Sequence, residues 1–79
     1  MTTEFHQPIN PIRIITGSDE NIFTSPVFAI AISNDRHVEY LTVNGGFYDK
    51  GSIMFAEQFI DGQWTRLESH ERIKAFKNV

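Results

Sequence analysis

The sequence predicts an α+β fold, an antiparallel meander sheet of four to five strands with one short C-terminal helix. Three observations carry that expectation. The segment Glu57-Gln58-Phe59-Ile60-Asp61-Gly62-Gln63-Trp64-Thr65-Arg66-Leu67 sets two strand-like runs on either side of an Asp-Gly pair. That pair is the preferred composition of a two-residue type I′ hairpin turn, which needs positive φ at both positions. Upstream, short apolar runs are punctuated by turn chemistry at Asn34-Asp35-Arg36 and Asn44-Gly45-Gly46. At the end of the chain, Ser69 is a credible helix N-cap, with Glu71 in the first turn and Lys74 and Lys77 towards the last. A small half-open β-barrel is the alternative arrangement of the same strands.

The 79 residues suffice for one domain, since two separate cores would each be too small to offset the entropy of ordering the chain. We divide them into an extended N-terminal arm, 1–11, and a single domain, 12–79. Pro8 and Pro11 bias their predecessors towards extended backbone, and no stable periodicity runs through the arm. Within the domain, Ile12-Arg13-Ile14-Ile15-Thr16 is a short strand and Gly17 to Asn21 a polar loop. Ser18 is placed to cap one helical turn over 21–23, with Asp19 and Glu20 at its positive end. Pro26 then opens the best central-strand candidate, Val27 to Ser33. Its large residues Phe28, Ile30 and Ile32 alternate with the smaller Val27, Ala29 and Ala31, and the small face is expected beneath the C-terminal helix.

His37 to Val43 returns as the next strand, and Phe47 and Tyr48 form a short strand or cover the core edge. Ile53, Phe55 and Phe59 alternate into the Asp61-Gly62 turn. A two-residue turn there sets Phe59 opposite Trp64 and Glu57 opposite Arg66. One hairpin face then carries Phe55, Phe59, Trp64 and the Glu57–Arg66 pair; the other carries Met54, Ala56, Ile60 and Leu67. Neither face is wholly polar, so the pattern leaves open which is buried. His70, Ile73 and Phe76 share one side of the expected helix 70–77 and should dock it on the sheet.

Composition bounds function by exclusion. The longest apolar run, Val27 to Ile32, is six residues, far short of a membrane span, and Met1-Thr2-Thr3-Glu4 lacks a signal-peptide start. The absence of cysteine removes disulfides and thiolate chemistry, and a cytoplasmic location is expected. The net charge of −3 is the wrong sign for a non-specific nucleic-acid binder. It is unevenly spread. Residues 1–65 hold three cations against eight acids, whereas residues 66–79 hold four cations against two. So small a core is marginally stable, and a homodimer is a reasonable expectation, with Ile12 to Thr16 as a candidate edge strand for the contact.

No reaction centre emerges. His6, His37 and His70 are far apart in sequence, no metal-ligand spacing joins them, and surface roles account for them. Ser69-His70-Glu71 has the residue types of a triad but the wrong geometry, because adjacent helical side chains point about 100° apart. The acids match no calcium loop, and Gly45-Gly46 matches no phosphate loop. No cofactor, metal or catalytic residue is therefore expected. The reading with fewest strains is a non-enzymatic protein-interaction module, a regulator, inhibitor or accessory subunit that docks on a larger protein, one with a basic groove included. Its contact surface is expected at Phe59 and Trp64, with Tyr48 at the margin and Asp49, Glu57, Asp61 and Arg66 around it. The alternative is a weak single-strand nucleic-acid binder, with bases stacking on the aromatic face and Lys50, Arg72, Lys74 and Lys77 supplying phosphate contacts.

Overall fold

In a computed structural model of the chain, residues 2–18, 20–34 and 36–79 are described here. They form an open, seven-stranded antiparallel sheet: β1 (Thr3–His6), β2 (Ile12–Ser18), β3 (Asn21–Ser33), β4 (Val38–Thr42), β5 (Phe47–Asp49), β6 (Phe55–Ile60) and β7 (Gln63–Leu67). The order across the sheet is β5-β4-β3-β2-β6-β7, with β1 also paired to β3. No α-helix occurs among the described residues, and the sheet does not close into a barrel. The architecture is thus all-β rather than α+β, and richer by two strands than the longest meander expected.

The organising element is β3, whose 13 residues are long enough to pair twice along one edge. Asn21 to Val27 faces β2 and Ile30 to Ser33 faces β1, while β4 takes the opposite edge. β1 and β2 therefore behave as one strand interrupted at 7–11. The interruption is local chemistry: Pro8 and Pro11 have no N–H to give a ladder. The segment leaves the sheet and pairs with the C-terminal residues instead, Ile9 N donating to Ala75 O at 2.9 Å and Lys77 N to Gln7 O at 2.8 Å. The arm residues are tied down on both sides.

Pro26 lies inside β3 rather than at its start. It is tolerated because its carbonyl accepts from Val43 N at 3.1 Å just beyond the end of β4. Its missing donor would face the same side, where no ladder partner continues. The helical turn expected over 21–23 is instead strand, since Thr16, Gly17 and Ser18 pair with Phe23, Ile22 and Asn21 and the β2–β3 ladder runs to a tight loop; Asp19 falls outside the described residues. β2 has both edges occupied, by β3 and β6, so Ile12 to Thr16 is an interior strand. The edges left for self-association lie elsewhere.

The main core forms on one face of the sheet from Ile12, Ile14, Val27, Ile30, Tyr40, Ala56 and Leu67, capped by Ile53, Ala75 and Phe76. Ile14 and Ile30 are completely buried, each contributing about 2–3 kcal/mol of hydrophobic stabilisation. A register shift between Val27 and Ala29 breaks the expected alternation. It turns Val27 to the side of Ile30 and leaves Phe28 52 % exposed. Ala29, Ala31 and Leu41 make a separate small cluster. The C-terminal residues cover Ile30, not the alanine face.

The expected helix 70–77 is replaced by two 3-10 turns, Ser69–Glu71 and Ile73–Ala75. Glu68, not Ser69, occupies the N-cap, its N–H reaching Glu71 Oε1 at 3.2 Å. Phe76 is extended and bridges Pro8. An eight-residue helix is marginal alone, and the pairing with residues 7–9 pulls its last turn straight. Of the expected docking face only Phe76 enters the core; His70 and Ile73 stay exposed.

Candidate functional site

β6 and β7 pair through Ile60↔Gln63, Phe59↔Trp64, Gln58↔Thr65 and Glu57↔Arg66, as the two-residue turn requires. Asp61 and Gly62 both have positive φ, 53° and 82°, as a type I′ turn needs. Ala56 and Leu67 are buried in the core, so alternation directs Phe55, Glu57, Phe59, Trp64 and Arg66 to the opposite, outer face.

β2 adds Arg13 to that face. It pairs with Glu57 in the β2–β6 register, and its Nε donates to Glu57 Oε1 at 2.7 Å. The same guanidinium lies 4.1 Å from the Trp64 ring centroid. Trp64 meets Phe59 edge-on, with centroids 5.2 Å apart. Arg66, although opposite Glu57, lies 4.7 Å over the Phe55 ring. Cation, carboxylate and aromatic rings thus alternate across three strands in one pre-set array. Trp64 and Phe59 remain 36 % and 39 % exposed, available for further burial.

The other expected residues are dispersed. Asp61 is at the hairpin tip. Tyr48 and Asp49 lie on β5, at the opposite edge of the sheet from Trp64. Tyr48 packs against the main core, and Asp49 Oδ1 caps its own turn, accepting from Gly51 N at 3.1 Å and Ser52 Oγ at 2.9 Å. Lys50 and Arg72 come together on a cleft described below, Lys74 lines a separate depression with His70 and Glu71, and Lys77 lines another beside Phe5 and His6. None of the four joins the aromatic array. Arg13 is not among the contact residues expected from the sequence, though its place in the alternation Ile12-Arg13-Ile14 signals an outward cation on a buried strand.

On the core side of the sheet, a cleft of about 670 Å³ opens between β4, β5 and the 3-10 turns, with Tyr40 and Arg72 along it and Arg36, His37 and Lys50 in its lining. Burial pushes the Tyr40 phenol above its ordinary value of 10.0, and the charge and hydrogen bonding of Arg72 offset part of that rise. Among the described residues, no group of three His, Cys, Asp or Glu side chains is placed to share a metal ion. Among the same residues no helix is long and apolar enough to cross a membrane.

No protein-family model, curated protein or solved structure matches the chain.

Proposed function

We propose that this protein is a non-enzymatic interaction module, a small regulator, inhibitor or accessory subunit that docks on a larger protein through the outer face of β2, β6 and β7. One observation carries the reading. Phe59 and Trp64 are held edge-to-face, pinned by Arg13, and partly exposed on a sheet face that the C-terminal segment does not cover. Aromatic and arginine side chains fixed before binding lose little rotamer entropy when a partner buries them, and such residues dominate interface energetics. Arg13 and Arg66 balance Glu57 and Asp61 around the array, so alternating charges on this face favour a partner of matching pattern rather than one sign. The lack of cysteine suits a reducing compartment such as the cytoplasm, where we place the interaction.

The test is capture of partners on immobilised protein from nuclease-treated lysate, comparing the native chain with Phe59→Ala/Trp64→Ala. A stoichiometric protein retained by the native chain and lost by the double variant, with an unchanged circular-dichroism spectrum, supports the proposal. Equal capture by both chains overturns it. Capture that disappears with nuclease moves the reading to single-stranded nucleic acid.

A further inference from the structure

The cleft behind the sheet has a different chemistry from the outer face and stands independently of it. We propose that it binds a small organic oxyanion, a phosphate or carboxylate head group carried on an apolar body.

Charge is the first argument. Among the described residues, Arg36, Lys50 and Arg72 line the cleft with Asp49 as the one carboxylate, in a chain whose net charge is −3. Asp49 is already engaged by Gly51 N and Ser52 Oγ. Two of the three cations within residues 1–65 are thus gathered at one place, joined by Arg72 from the other end of the chain. The fold concentrates positive charge there, whereas the sequence separates it.

Hydrogen-bonding capacity is the second. Arg72 lines the cleft; its Nε is buried without a protein acceptor, and the terminal NH₂ groups are the donors a ligand in the cleft would meet. Arg72 carries five N–H donors on a planar fork, of which the hydrogen bond to the Tyr40 phenol uses one, and such a fork matches the oxygens of a phosphate or carboxylate. Tyr40 is 3 % exposed, so its position is fixed by the core before any ligand arrives.

Size and the apolar wall are the third. A volume of about 670 Å³ is within the range for small organic ligands and far beyond an inorganic ion. Val38 and Ile73 line it with the Tyr40 ring, giving an apolar body something to cover.

The experiment is a ¹⁵N–¹H titration of the full chain with phenyl phosphate, benzoate and inorganic phosphate in parallel. The expected result is saturable shifts in the amides of 36–40, 49–51 and 69–73, with an organic anion binding more tightly than inorganic phosphate. Preference between phenyl phosphate and benzoate identifies the head group. Arg36→Gln/Lys50→Gln, both at exposed positions, should weaken binding about tenfold with dispersed spectra retained. Arg72→Lys should also weaken it, because an ammonium keeps the charge but loses the fork of donors. Absence of saturable shifts with both organic anions overturns the proposal, as do shifts centred on Phe59 and Trp64 or an affinity unchanged in the double variant.

Discussion

The Arg13 guanidinium bridges Glu57 and Trp64, 2.7 Å from the carboxylate and 4.1 Å from the ring centroid. It links β2 to both strands of the last hairpin, so β7 is held at the sheet edge by more than its ladder with β6. Arg13→Ala should destabilise the protein by about 1 kcal/mol, the sum of a partly buried ion pair and a surface cation–π contact. It should also shift Trp64 emission to the red and increase its quenching by iodide. Urea denaturation followed by Trp64 fluorescence reads both. Unchanged emission would remove Arg13 from the array.

Two turn glycines should respond differently to the same methyl group. Gly62 (φ 82°) has open space around it, so Gly62→Ala carries only the left-handed backbone penalty, about 1 kcal/mol. Gly17 (φ 111°) has the Asn21 carbonyl oxygen where a Cβ would go. Gly17→Ala must therefore displace backbone at the β2–β3 loop and should cost more. Chemical denaturation of both variants gives the order; the reverse order would contradict the loop geometry.

The bulge in β3 separates neighbours in sequence by energy. Ile30 is fully buried and Phe28 is 52 % exposed. Ile30→Ala should cost roughly 3–4 kcal/mol by transfer and cavity terms. Phe28→Ser should stay within about 1 kcal/mol. A regular strand with Phe28 and Ile30 on one core face would make both changes severe, and thermal unfolding distinguishes the two cases.

Tyr40 links the core to pH. Its phenol is raised above 10.0 by burial, partly opposed by Arg72, so the folded state holds the proton more tightly than the unfolded chain. Its contribution is fully present below the unfolded value, near pH ~10, and is lost as pH rises through the higher folded value. Stability should fall with alkaline pH above that point. Tyr40→Phe should flatten that fall relative to the native chain, as read from unfolding midpoints across pH 8 to 11.5.

The last hairpin was legible because its information is local. Asp61-Gly62 admits positive φ at both positions, and that geometry alone sets Phe59 against Trp64 and Glu57 against Arg66. Alternation sorts Phe55 to Leu67 into the two faces, but it fails just before β6, where Ile53 enters the core and Met54 is exposed, because the regular strand begins only at Phe55. Periodicity says nothing about which face meets the core. That was decided when β2 added Ile12 and Ile14 beside Ala56 and Leu67, leaving Arg13 with the aromatics.

The remaining differences share one physical cause. The residues after Ser69 carry helix chemistry, but short helices have little stability of their own, and hydrogen bonds to residues 7–9 outweighed it. Val27 to Ile32 alternate large and small, yet one bulge reset the alternation. Glu57 sits opposite Arg66 across the hairpin, yet its ion pair is with Arg13 from 44 residues away. The sequence by itself determined where the chain turns and which side chains alternate. Only the tertiary structure decided which face is covered, how the ends of the chain pair, and which distant charges gather around Tyr40, because those depend on contacts between segments whose local preferences are weak.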